Sequence, residues 1–181
     1  MSIISRIFKK KWGVVMPETS CSYNLDHQLE RAVGWVKYAE AKNAVAIGLI
    51  GSAFVYCCNK DCWDGSWSGK ALIISLTIQL LLLICSFIPR FSSPILRKKN
   101  LTSINFHYYG EISLVSLFEY REKLAAAYPE LNKCSRYFQD VTHQIHVNCE
   151  IAMVKFILFK YTGYLTIISG IFFVINKWSV V

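Results

Sequence analysis

Three stretches of the chain lose almost all of their polar side chains. Ala41–Cys58 (AKNAVAIGLIGSAFVYCC) carries one charge, Lys42, at its start. Ala71–Ile88 (ALIISLTIQLLLLICSFI) carries none, and Phe156–Ile175 (FILFKYTGYLTIISGIFFVI) carries Lys160 near its start. A bilayer core of about 30 Å is crossed by roughly 20 predominantly apolar helical residues. All three blocks therefore read as transmembrane helices. A chain of 181 residues has too little material to bury three such helices in a soluble core.

The flanking segments change period. From Leu25, apolar or small residues recur as Leu25, Leu29, Ala32, Val36, Ala39, Asn43 and Ala46, in alternating steps of four and three. That is a heptad seam. No proline falls between Ser20 and Cys58, so one helix is predicted to run unbroken into the first span. Cys134, Phe138, Val141, Ile145, Asn148, Ala152 and Lys155 repeat the pattern and lead into the third span. Pro129 is suited to a helix start, with Glu130 at the positive end of its dipole. A helix from Glu130 to Ile175 would be about 70 Å long, so a stalk is predicted to stand outside the bilayer. Ile112–Ala127 (ISLVSLFEYREKLAAA) reads as one shorter amphipathic helix, and Pro89–Gly110 as irregular. The fold class is thus all-α: an oligomeric membrane protein with three transmembrane helices and long helices extending into a cytoplasmic helical stalk, whose seams can pair within the chain or between subunits. Four segments follow: a basic N-terminal segment 1–24; a helix with two spans, 25–88; a central helical region, 89–155; and the third span with the C-terminal end, 156–181.

Charge sets an orientation. The net charge is +8, from 20 Lys and Arg against 12 Asp and Glu. Residues up to and including Lys42 at the start of the first span, and residues between the second and third spans, each contribute +3, and the connector Asn59–Lys70 is neutral. The positive-inside rule places the N-terminus and the central region in the cytoplasm. Tyr56, Trp63, Trp67 and Trp178 then gather at the outer interface, where amphipathic rings collect. Ile3, Ile4, Ile7 and Phe8, beside Arg6 and Lys9–Lys11, have the spacing of a short interfacial helix on anionic lipid. Arg97-Lys98-Lys99, soon after a span, reads as a lipid or topology signal, and no nucleic-acid polymer is expected as a partner.

Several polar or small residues inside the spans stand out. Gln79 lies midway along the second span and needs a partner across a helix pair or in a wet cavity. Ala44, Gly48 and Ser52, and Thr162, Thr166 and Gly170, form rows at four-residue spacing that permit close helix approach in lipid. No hydrolase, phosphate-loop, dinucleotide or zinc-protease motif occurs, so no catalytic residue, metal or cofactor is expected. His143 and His146, followed by Cys149 and Glu150, have a spacing open to metal, but an inter-helix histidine pair is the plainer reading.

Four pieces, in order, resemble the Pycsar-type transmembrane effector family of prokaryotic antiviral defence. They are Trp35-Val36-Lys37-Tyr38-Ala39-Glu40-Ala41-Lys42-Asn43-Ala44 leading into the first span; Ile88-Pro89-Arg90 closing the second; Asn105-Phe106-His107-Tyr108-Tyr109-Gly110-Glu111-Ile112; and Gln144-Ile145 with Ile151-Ala152 and Lys155-Phe156 leading into the last span. Together they cover about residues 25 to 175. Phe156 stands where the family usually has Tyr, and 97–103 is longer than the usual linker. The resemblance implies a bacterial inner-membrane effector. A partner nucleotide cyclase makes a cyclic pyrimidine mononucleotide (cUMP or cCMP), which activates the effector as its ligand. The membrane is then damaged by pore formation or disruption, and infection is aborted. A cyclic phosphate needs cationic or N–H donors and a pyrimidine needs stacking. Lys42, Asn105, Tyr108, Tyr109, Glu111, Lys155 and Lys160 offer these types near the inner interface. Glu40, Gln79, Gly48, Thr166 and Gly170 are the candidates for gating or subunit contact. The expected partners are the lipid bilayer, the nucleotide, the cyclase and further copies of the chain. Two other classes stay open: a membrane effector gated by cyclic oligonucleotides or by a protein partner, and a non-effector membrane scaffold.

Overall fold

The computed structural model describes residues 24–59, 67–88, 101–131 and 135–178, which form five helices and, among the described residues, no strand. The N-terminal basic helix, Trp63, Pro89-Arg90, the Arg97–Lys99 cluster and Cys134 lie outside the described residues.

Helix α1 spans Leu25–Asn59. Asn24 caps it: its side-chain oxygen accepts from the His27 amide at 3.1 Å, and Asp26 in the first turn faces the positive dipole end. Helix α2 spans Trp67–Phe87 and helix α5 spans Arg136–Trp178. All three are long and apolar enough to cross a membrane. At 1.5 Å per residue α5 is roughly 65 Å long, about twice a hydrocarbon core. Its start differs from the sequence expectation. Pro129 and Glu130 lie in a turn in which the Leu131 amide bonds the Tyr128 carbonyl at 3.0 Å, and the helix begins after Ser135. Ser135 offers what Pro129 lacks, a hydroxyl that accepts from the Phe138 amide at 3.1 Å.

The predicted single helix over 112–127 is two. Helix α3 spans Tyr109–Leu114 and helix α4 spans Leu117–Ala127. Val115 is extended, and the Ser116 hydroxyl accepts from the Glu119 amide at 3.1 Å, starting a new helix. The Ser116…Glu119 pair has the capping-box spacing, a stop-and-restart signal that prevails over the continuous amphipathic period. The break exposes the Val115 carbonyl, and buried His146 donates to it at 3.0 Å. His146 is therefore an inter-helix tie, and His143 is solvent-exposed.

These elements build a head and a bundle. In the head, α3 and α4 pack with the first half of α1 on the first half of α5, around Leu25, Ala32, Ile112, Tyr120, Leu124, Phe138 and Ile145. Arg121 of α4 donates to Thr142 at 2.9 Å, and Tyr137 of α5 donates to Asp26 of α1 at 2.6 Å. In the bundle, α2 packs on the second halves of α1 and α5. The seams close within the chain. Buried positions step by seven along α1 (Leu25, Ala32, Ala39, then Asn43, Ile50, Cys57) and along α5 (Phe138, Ile145, Ala152, then Lys155, Thr162, Ser169, Asn176).

The bundle is apolar outside and carries its buried polar side chains inside, beside a small apolar cluster. Val45, Leu49, Ile74, Leu81, Ile167 and Ile171 all point outward. Inside, α2 presents Ser68, Ser75, Gln79 and Ser86, all buried. Ser68 donates to Asn176 at 3.0 Å. Gln79, wholly buried, donates to Ser169 at 2.7 Å and accepts from Thr166 at 2.9 Å, while Ser75 and Ser169 share a 2.7 Å bond. Asn43 donates to Ser86 at 2.8 Å. Gln79 thus finds its partner across a helix pair. The Ala44/Gly48/Ser52 row faces outward, with open space over Gly48.

The head core and its surface can be separated within one helix. Leu124→Ala is expected to cost about 2–5 kcal/mol, and exposed Phe118→Ala less than about 0.5 kcal/mol, in detergent-solubilised protein. Thermal unfolding followed by circular dichroism reads both, and equal losses would contradict this packing.

Candidate functional site

The head meets the bundle at a collar of charged and aromatic side chains. Tyrosines and lysines concentrate here because α1 and α5 pass from polar surroundings to apolar ones, and such side chains have an apolar body with a polar tip. From α1 come Trp35, Tyr38, Glu40, Lys42 and Asn43. From α5 come Lys155, Phe156, Phe159 and Lys160. Ser86 and Phe87 end α2, and Tyr108 and Tyr109 open α3.

Lys155 is buried and fully engaged. Its ammonium donates to Glu40 at 2.9 Å and to the Ser86 carbonyl at 3.0 Å, with the Phe87 ring centre 5.4 Å away. The last carbonyls of a helix lack intrahelical partners and carry its negative dipole end. Helix α2 has no basic residue in its own last turn, so α5 supplies the cation that caps it. Next to it, Asn43 donates to Ser86, while its buried side-chain oxygen has no hydrogen-bond partner.

Lys42 has different surroundings. Its ammonium sits over the Phe159 ring at 4.4 Å, the Tyr38 ring at 5.4 Å and the Phe156 ring at 5.7 Å. Phe156 continues the aromatic packing to Tyr109 at 5.1 Å, and Tyr109 continues it to Trp35 at 5.1 Å and Tyr108 at 5.0 Å. The spacing of Trp35, Tyr38 and Lys42 puts all three on one face of α1. Burial, and secondarily the neighbouring Tyr108, pushes the Tyr109 hydroxyl up to about 12.

Asn105 and Glu111 have local roles. The Asn105 amide donates to Glu111 at 2.7 Å, and the Asn105 side chain accepts from the His107 amide at 3.0 Å. The pair closes the turn that launches α3, and His107 is tied by its ring to Gln28 of α1. Gly110 leaves room for the Tyr108 ring, which an added Cβ would meet at 2.6 Å. Lys160 is exposed, 5.7 Å from the Tyr164 ring.

The structure therefore brings Lys42 and Tyr109 to Phe156, with Tyr108 against Tyr109, joins Lys155 to Glu40, and leaves Lys160 apart. Thr166, exposed at the edge of the bundle, donates to buried Gln79, and Gly48 and Gly170 are exposed. Sequence reasoning missed the rings of Tyr38, Phe156 and Phe159 as partners of Lys42, and Trp35 as their neighbour. The signal was their helical spacing, read there only as part of the approach to a span.

Two measurements probe the collar. A double-mutant cycle on Glu40→Gln and Lys155→Met is expected to give a coupling of about 0.5–3 kcal/mol, and additive losses would show that the pair does not join α1 to α5. Tyr109 stays protonated in the fold at pH values where an unfolded tyrosine ionises. Its contribution is fully present below pH 10 and lost as pH rises through about 12. Thermal unfolding between pH 9 and pH 12 should fall more steeply for the native protein than for Tyr109→Phe, and parallel curves would count against that environment.

The chain was also compared with known proteins. No curated protein and no solved structure shows significant similarity to it. The Pycsar effector protein domain matches residues 24–179, from the Asn24 cap of α1 past the last residue of α5. That match takes in the head, the collar and all three long helices, so the chain belongs to the Pycsar effector family, whose members are membrane effectors of antiphage defence.

Proposed function

We propose that this effector is switched on by a cyclic pyrimidine mononucleotide, cUMP or cCMP, made by a partner nucleotide cyclase on infection. Once active, a homo-oligomer impairs the bacterial inner membrane and aborts the infection. The head lies in the cytoplasm with the N-terminus, as the charge distribution favours. The observation that carries this reading is the family match over residues 24–179 on a bundle with three helices long and apolar enough to cross a membrane.

The bundle gives the reading a physical mechanism. Its outward faces are largely aliphatic, so they cannot line an aqueous path as they stand. The polar side chains of the spans are concentrated between α2 and the other two helices, bonded to one another. Ionisable and polar groups held inside a bilayer mark permeation paths when they become accessible to water. Permeation through a lumen then requires the Ser75–Gln79–Thr166–Ser169 cluster to part, with Gly170 and Thr166 at its edge. Binding near the collar favours that change through α1 and α5, which run from head to bundle without a break.

Liposomes holding a self-quenched dye test both steps. cUMP or cCMP should release dye from vesicles carrying the protein, and no release at verified incorporation would defeat the activation reading. Ser75→Cys/Ser169→Cys replaces hydroxyls 2.7 Å apart. Release should stop when the pair is oxidised and return when it is reduced. Full release from the oxidised form would show that this seam stays closed during permeation.

A further inference from the structure

We propose that Lys42 and its surrounding rings form a binding site for a phosphodiester monoanion at the collar. Two lysines of the described structure lie beside each other's level there, and their charges are handled differently. Lys155 is neutralised by Glu40 and by the carbonyl end of α2. Lys42 has no carboxylate within ion-pair distance among the described residues. It has three ring faces instead. Ring faces attract an ammonium without discharging it, and they accept none of its three N–H donors as a strong hydrogen-bond acceptor would. Lys42 is only partly buried and Tyr38 is 53% exposed, so an anion reaches the ammonium from outside.

Two features select the class of anion. Lys42 opens the apolar stretch of α1, the depth at which phosphate groups of a bilayer meet a crossing helix. The rings beside it, Tyr38 and Phe156 backed by Tyr109, provide an apolar and stacking surface for whatever the phosphate carries. One ammonium matches one negative charge. A lipid headgroup such as phosphatidylglycerol and a cyclic mononucleotide share that chemistry. The lipid source stands by itself, and the nucleotide source rests on the proposed activation.

The test uses full-length protein in phosphatidylcholine nanodiscs, with tryptophan fluorescence as the readout because Trp35 adjoins the site. Short-chain phosphatidylglycerol, cUMP and cCMP are titrated separately. Saturable binding of at least one is expected, weakened about tenfold or more in Lys42→Gln, retained in Lys42→Arg, and unchanged in Lys70→Gln, an exposed charge control at the far end of α2. Circular dichroism confirms that each variant keeps its helix content. Lipid binding alone or nucleotide binding alone supports the site and identifies its occupant. No saturable binding, or equal loss in Lys70→Gln, overturns it. Nucleotide-triggered dye release from Lys42→Gln at the native dose dependence, with no lipid binding lost, would overturn the site while leaving the activation reading intact.

Discussion

Hydrocarbon offers no hydrogen bonds, so every polar group carried into it must find a partner within the protein. Of the hydroxyl and amide side chains of α2, Ser68, Ser75, Gln79 and Ser86 are buried and bonded to other residues, and outward-facing Thr77 donates to the Ile73 carbonyl of its own helix. This constraint fixes which face of α2 turns inward and which residues of α1 and α5 oppose it. Apolar side chains cannot do so, because the hydrophobic effect does not distinguish a lipid tail from a neighbouring leucine. The apolar core of the bundle is correspondingly small, with Ile50, Cys57, Leu72, Leu76 and Leu83 as its buried members.

The head obeys the opposite rule. There, burial of Tyr120, Leu124, Phe138 and Ile145 removes apolar surface from water, and the hydrogen bonds of Arg121 and Tyr137 lie at its margin. The two regimes meet at the collar. Lys155 holds α1 to α5 through Glu40 and satisfies the end of α2, so one ammonium touches all three long helices. A ligand that shifts α1 against α5 at this level acts on the lever arms of both the head and the bundle. Coupling between a collar site and the polar seam therefore needs no separate relay.

Much of this was legible residue by residue. The three apolar blocks gave the spans, and the four-three period gave two helices that outrun the bilayer. Gln79 announced a partner by being a lone amide among leucines. Other features were hidden for identifiable reasons. Ser116 and Glu119 ended and restarted a helix inside a continuous amphipathic period, where a local cap outcompeted the pattern. Pro129 had the backbone for a helix start, but Ser135 had the hydroxyl. Asn105 and Glu111 looked like ligand groups because they are polar and near a span. In the fold Glu111 accepts from the Asn105 backbone amide and the Asn105 side chain accepts from the His107 amide, turn contacts that composition does not reveal. Lys42 and Lys155 looked alike in sequence, each a lysine at the edge of an apolar block.

By itself the sequence determined the three long apolar helices, the two seams and the charge asymmetry along the chain. These depend on period, length and side-chain transfer energy, all local properties of the chain. Only the tertiary structure decided that the seams close within one chain, that Lys155 meets a carboxylate while Lys42 meets rings, and that the polar residues of α2 pair internally. Those outcomes depend on helix rotation, which is set by partners distant in sequence: Ser86 beside Lys155, and Ser75 and Gln79 beside Ser169 and Thr166.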